Sequence, residues 1–220
     1  MKAFLLFLTV LATYFLISLP AAAQIEKGTR AIGLTFGLSE RTSSFGSLSS
    51  FTNTNRGLFF YPEYAYFFRD RISIISGAGY NRSLYNNESR NGDSGESRLT
   101  DFTVFSGLRI HVPLQPKLYL ITTYGPKYQY RERQSRYTNS GAISETFTEE
   151  HDFGLFGNAG LAFFPSNRWS LELILAESSL SMTHHRSLQQ EKMAGYANTW
   201  KFTMHAFLDQ PNLALRYYFK

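Results

Sequence analysis

Residues 102–131 read Phe102-Thr103-Val104-Phe105-Ser106-Gly107-Leu108-Arg109-Ile110-His111-Val112, then Pro113-Leu114-Gln115-Pro116-Lys117, then Leu118-Tyr119-Leu120-Ile121-Thr122-Thr123-Tyr124-Gly125-Pro126-Lys127-Tyr128-Gln129-Tyr130-Arg131. In the first run Phe102, Val104, Leu108, Ile110 and Val112 share a parity with Ser106 and oppose Thr103, Phe105, Gly107, Arg109 and His111. In the second, Leu118, Leu120, Tyr124, Tyr128 and Tyr130 oppose Tyr119, Ile121, Thr123, Gly125, Lys127, Gln129 and Arg131. Successive side chains of a strand point to opposite faces, so each run is a strand with one apolar face and one face of small or polar residues. The proline-bearing segment between them is a tight turn, which makes the pair an antiparallel hairpin.

The same split recurs from Arg30 to Leu38, and further strands are expected over 58–68, 72–82, 152–164, 169–182 and 200–219, eight in all. Short connections (Arg69-Asp70-Arg71, Pro113 to Pro116, Pro165 to Arg168) alternate with long polar ones (Ser39 to Arg56, Ser83 to Arg98, Arg133 to Glu150, Thr183 to Ala197). Strands of this length suit a tilted crossing of hydrocarbon, where only a closed sheet satisfies every backbone group. Alternating short and long connections are the pattern of outer-membrane barrels.

The expectation is an all-β, eight-stranded antiparallel up-and-down transmembrane β-barrel with short periplasmic turns and long extracellular loops. Its apolar face points to lipid and its side chains fill the narrow lumen. Tyr64, Tyr66, Phe68, Phe163, Trp169, Tyr217 and Phe219 belong to a periplasmic aromatic girdle, and Tyr80, Tyr128 and Tyr130 to an outer one. In the closing strand the apolar parity switches between Leu208 and Leu213, which predicts a bulge around Asp209 to Asn212, where Pro211 cannot donate to a ladder.

Composition narrows the class. Among 220 residues there is no cysteine, which excludes disulfides, thiolate metal sites and a catalytic thiol. The 20 Phe and 14 Tyr residues can bury enough apolar surface to exclude disorder. A single long apolar run, near the N-terminus, excludes a helical membrane bundle. That run, from Ala3 to Leu19 behind Lys2 and ahead of Pro20-Ala21-Ala22-Ala23, reads as a cleaved signal peptide over 1–23, leaving 24–220 as the barrel domain. An exported barrel with net charge +5 is not expected to meet nucleic acid.

The segment ending Ala21-Ala22-Ala23-Gln24, the run Tyr61-Pro62-Glu63-Tyr64-Ala65-Tyr66-Phe67-Phe68, the run Ser76-Gly77-Ala78-Gly79-Tyr80 and the ending Asn212-Leu213-Ala214-Leu215-Arg216-Tyr217-Tyr218-Phe219 resemble the small outer-membrane β-barrel domain family, in the versions frequent in Bacteroidetes. The resemblance implies residence in the outer membrane of a Gram-negative bacterium. It also implies a closing strand whose terminal aromatic is read by the barrel-assembly machinery; here Lys220 follows Phe219, a departure from that pattern. Many members of the family have no assigned activity.

On the inward parity, Glu63, Arg109, Glu172 and Arg216 all lie near the periplasmic turns or the chain end. Buried charges persist when paired and hydrogen-bonded, so an interior ion-pair cluster is expected, either a lumen plug or a gate. Lys127, Gln129 and Arg131 extend that network or line an outer cavity. Arg131, Arg133 and Arg136, with Arg186 and Lys192, are candidates to meet lipopolysaccharide phosphates; the alternative is a solvated loop set among Glu132, Glu149 and Glu150.

His185 and Ser187 resemble the His-x-Ser spacing of outer-membrane lipid A deacylases. Leu188 follows where that family has Asn, only Glu191 offers an acidic orienter, and the segment falls in an expected loop. Neighbouring histidines of a strand diverge, so no metal or other cofactor is expected. The function expected is that of a monomeric, non-catalytic outer-membrane protein with an envelope-structural, surface-interaction or limited small-solute passage role. The alternatives are a lipid A deacylase-like hydrolase and a secreted lipocalin-like carrier of an apolar ligand.

Overall fold

In the computed structural model, which describes residues 25–45, 51–89, 94–139, 142–189, 192–206 and 212–220, nine strands follow one another along the chain. They are β1 (Arg30–Phe45), β2 (Phe51–Arg69), β3 (Ile72–Ser89), β4 (Ser94–Gln115), β5 (Leu118–Asn139), β6 (Ala142–Ser166), β7 (Trp169–Gln189), β8 (Lys192–Ala206) and β9 (Asn212–Phe219). The expected signal peptide, 1–23, lies outside the described residues.

Each strand from β1 to β7 pairs antiparallel with the next, and β9 closes the ring between β7 and β1. Strands β8 and β9 run along the same neighbour: β8 faces Ala176 to Gln189 of β7, and β9 faces Trp169 to Ile174. Together they make the eighth crossing. Its predicted bulge falls almost wholly on 207–211, outside the described residues. The irregularity is visible on the facing strand, where Ile174 opposes Asn212 and Ala176 opposes Ala206, so Leu175 alone spans the break. Beyond it the facing of β7 changes parity, since Ser170 and Glu172 are buried on one side of it and Ser181 and Thr183 on the other.

The periplasmic connections are two-residue turns at 70–71, 116–117 and 167–168. Arg71 adopts a left-handed φ of 64°, and Asp70 Oδ1 accepts a hydrogen bond from the Lys27 backbone N–H at 2.8 Å. The outer segments differ from the expected open loops. Ser39 pairs with Gly57, Ser83 with Leu99, Arg133 with Thr148 and His185 with Ala197, so the strands continue past the apolar belt as tall hairpins. A segment polar on both faces is still a good strand once its lower half is fixed, because Ser, Thr and Tyr side chains pair across the ladder. Ser97 Oγ and Ser135 Oγ lie 2.9 Å apart in such a pair.

Leu34, Val104, Leu120 and Leu173 all sit on the outer face, half-buried or exposed, with Phe36 and Leu155 61% and 60% exposed. Ala31, Phe67, Ile121 and Ala162, on the opposite face, are fully buried. This is the reverse of the arrangement a soluble carrier of an apolar ligand requires. Tyr64, Tyr66, Phe68 and Trp169 ring the periplasmic end, where Trp169 lies 4.9 Å from the Tyr217 ring. Tyr80, Phe102, Phe153 and Trp200 ring the outer end.

Candidate functional site: the barrel interior

The interior is built in three tiers. At the periplasmic end, inward residues of five strands form an aromatic floor. The Phe164 ring lies 5.1 Å from Tyr218 and 5.2 Å from Tyr119, and Phe67 lies 5.3 Å from His111 and 6.1 Å from Tyr218. Ile25 tucks beneath, held by the Arg71 N–H donating to its carbonyl at 3.1 Å. Such rings, packed tilted or edge-on, exclude water from the barrel end.

Directly above lie the four charges singled out by parity. The structure brings Glu63, Arg109, Glu172 and Arg216 together. Glu172 Oε2 accepts from Arg109 Nη1 at 2.9 Å, and Glu172 Oε1 accepts from Arg216 Nε at 2.8 Å. Glu63 Oε2 accepts from Arg216 Nη2 and lies 3.5 Å from Arg109 Nη2. Arg109 Nε donates to Thr123 Oγ1 at 2.9 Å, and the hydroxyls of Ser170 and Tyr218 donate to Glu172 Oε1 at 3.3 and 3.4 Å. Two cations alternate with two anions across four strands. A Cβ built on Gly33 would stand 2.8 Å from Arg216 Nη1, so glycine there makes room for the guanidinium.

The third tier is a cavity of about 490 Å³ that rests on Glu63, Arg109 and Glu172 and is walled by Phe59, Tyr61 and Phe105. Lys127, Gln129 and Arg131 line it. Gln129 Nε2 donates to both Asp101 oxygens at 2.8 and 2.7 Å, and Arg131 Nη1 donates to Glu150 Oε2 at 2.6 Å. Arg131 also lies 3.8 Å from Asp101 and 3.7 Å from Asp152. This corrects the expectation that Arg131 meets lipopolysaccharide: it points into the lumen among three carboxylates. Arg133 is exposed, and Arg136 is exposed 3.6 Å from Glu145.

The family model of the outer membrane protein beta-barrel domain matches residues 9–203. The chain belongs to that family. The protein is therefore an outer-membrane β-barrel of a Gram-negative bacterium. Among solved structures, the barrel is similar to Ail, the attachment invasion locus protein of Yersinia pestis, at 15% identity over 88% of this chain and 99% of that one, with a TM-score of 0.39. It is also similar to the outer membrane protein OprG from Pseudomonas aeruginosa, at 12% identity over 88% of this chain and 97% of that one, with a TM-score of 0.47. No curated protein matches the chain.

Sequence reasoning passed over Asp101 and Asp152 as carboxylates of the mouth, and placed Glu150 only in a solvated loop set. Their inward parity was readable, but not that β4 and β6, on either side of β5, bring them to one arginine. The His185–Ser187 segment belongs to strand β7 and not to a loop. His185 Nδ1 lies 3.3 Å from Glu150 Oε1, an acidic partner from the neighbouring strand, while Glu191 lies outside the described residues. Glu150 is shared with Arg131 and with Lys201, whose Nζ is 3.7 Å away. Among the described residues, no group of three or more His, Cys, Asp or Glu side chains is placed to hold a metal ion.

Proposed function

We propose that this outer-membrane barrel is a non-catalytic monomer that acts at the cell surface through its tall hairpins, with a lumen that is plugged and not conducting. The aromatic floor carries this reading: Phe67, Phe164, Tyr218 and Ile25 are 0%, 1%, 4% and 5% exposed. A channel needs a continuous polar path, and four packed apolar residues below a neutralised ion cluster close it. The cavity lies above the ion cluster, and the paired outer strands carry polar side chains beyond the apolar belt, which suits recognition at the surface.

Reconstituted into planar bilayers, the protein is expected to give no stable current steps. Phe67→Ala with Tyr218→Ala is expected to introduce them. Ohmic steps from the unaltered protein refute the plugged lumen.

The Glu150–His185 contact favours a second reading, a hydrolase in which Glu150 orients His185 and His185 activates Ser187. Ser187 lies two residues further along the same face, and among the described residues no hydrogen bond joins it to His185. Mass spectrometry of lipid A from cells expressing the protein or its Ser187→Ala variant decides between the two. Identical acylation in both, matching cells without the gene, is expected; a shortened acyl set lost in the variant establishes the hydrolase.

A further inference from the structure

The walls of the lumen cavity hold it open. Phe59 and Tyr61 of β2 and Phe105 of β4 each reach over a glycine of a neighbouring strand, so that a Cβ built on Gly37, Gly79 or Gly77 would fall on the ring of Phe59, Tyr61 or Phe105 respectively. The rings therefore lie along the wall and leave the middle of the lumen empty. At about 490 Å³ the space falls within the range of about 300–1,000 Å³ usual for small-molecule sites. Thr203, on its lining, is exposed, so solvent reaches it.

The charges of the cavity balance. Its floor brings Arg109, Glu63 and Glu172, and its wall sets Lys127, Arg131 and Lys201 against Asp152 and Glu177, four cations and four carboxylates in all. Just behind the lining stand two further carboxylates, Asp101 and Glu150, and one further cation, Arg216, which together shift the balance by a single negative charge. Such a cavity exerts little pull on a net charge, yet it is dense in groups that donate and accept. Some of these lack a partner within the protein. Lys127 stands in the field of Asp152, Asp101 and Glu177 but forms an ion pair with none of them among the described residues: Asp101 accepts from Gln129, Asp152 lies beside Arg131, and Glu177 accepts from Asn212. On the same lining, the buried Asp152 Oδ1 and Asn158 Oδ1 accept no hydrogen bond among the described residues.

We propose that the lumen cavity binds a neutral sugar of one or two rings. A hydroxyl both donates and accepts, so one kind of group serves Lys127 on one side and Asp152 and Asn158 on the other, and it adds no charge to a balanced lining. The electron-rich faces of aromatic rings attract the C–H faces of a sugar, and Phe59 and Phe105 supply such rings, with Phe156 5.4 Å from Phe105. An apolar ligand would leave the polar groups unsatisfied, and an ion would leave one sign of charge in excess. The site is distinct from the hairpin surfaces on which the function proposed above rests, and it does not depend on whether the lumen conducts.

The test is isothermal titration calorimetry on the full barrel refolded in a detergent without a sugar headgroup. The probes are glucose, galactose, N-acetylglucosamine and maltose, with acetate, zwitterionic glycine and hexanol for comparison. At least one of the four sugars is expected to bind saturably at one site per chain, at least tenfold more tightly than acetate, glycine or hexanol. F59A/F156A and, separately, K127M are each expected to weaken that sugar at least fivefold, with heat-modifiable gel mobility retained. R133Q/R136Q, on the hairpins, is expected to leave it unchanged. The proposal fails if none of the four sugars binds, if acetate, glycine or hexanol binds as tightly, or if either folded lumen variant loses less than fivefold. Loss of the sugar in R133Q/R136Q also overturns it, since binding would then belong to the hairpins and the surface reading would stand without the lumen site. Should F59A/F156A not fold, K127M alone is read against the same criteria.

Discussion

Glu172→Gln is expected to lower the stability of the barrel in phospholipid vesicles by about 3–5 kcal/mol, read from the shift of its urea unfolding midpoint. Glu172 is 1% exposed, and both its oxygens are engaged by guanidinium groups that are themselves 2% and 1% exposed. Glutamine is nearly isosteric, so the loss is electrostatic: Arg109 and Arg216 face one another with Glu63 as their only remaining anion among the described residues. Attraction between charges is strong in a surrounding of low dielectric, and so is the penalty for an unmatched one. Replacing Glu63, Arg109, Glu172 and Arg216 together by methionine is expected to recover part of the loss, because an apolar set leaves no charge uncompensated. The same Glu172→Gln protein separates plug from gate. As a plug it stays electrically silent, because the floor of Phe67, Phe164 and Tyr218 lies below it. An unchanged midpoint in Glu172→Gln would mean that the cluster does not hold the barrel in register.

Leu173→Arg is expected to cost about 2–4 kcal/mol in the same vesicles, the penalty for a cation near the middle of the lipid-facing wall. Leu173 pairs with Leu161 on one side and Leu213 on the other, between Trp169 at the periplasmic girdle and Met182 at the outer one. Asn86→Arg, on the exposed part of β3 above Arg82, is expected to cost less than about 1 kcal/mol, because the arginine there stays hydrated. The difference between the two measures depth directly. Equal losses at both positions would show that the belt between the girdles is not where the hydrocarbon lies.

The hairpin of residues 102–131 shows how much was legible beforehand. Every outward residue assigned by parity there, from Phe102 through Val112 and from Leu118 through Tyr130, lies on the outer face. Arg109 and His111, assigned inward, are buried. The inner charges Glu63, Arg109, Glu172 and Arg216 could be chosen because each combines inward parity with a place near a short turn or the chain end. The outer segments were harder. Ser39 to Arg56 and Arg133 to Glu150 have the composition of loops, and polarity on both faces removes the alternation by which a strand is recognised. Those stretches pair because strands already aligned by their membrane halves extend the ladder at little further cost in chain entropy.

Arg131 illustrates a different failure. Its inward parity was on view, yet the basic cluster with Arg133 and Arg136 suggested lipid phosphates. Asp101, Glu150 and Asp152, on neighbouring strands, decided where the charge is satisfied. His185 repeats the lesson, since an acidic partner of its ring is Glu150, 35 positions away in the chain.

The amino-acid order alone determined a closed sheet with its oil on the outside, the side of the membrane on which each turn lies, and the identity of the charges inside. These follow from facing, which is a local property repeating every second residue. Only the tertiary structure decided which residues are neighbours: Glu172 between two arginines, Glu150 beside both Arg131 and His185, and Phe59, Tyr61 and Phe105 over glycines of the strands beside them. Neighbourhood across strands depends on register, and register is set cooperatively by the whole ring of hydrogen bonds, so no single stretch of chain contains it.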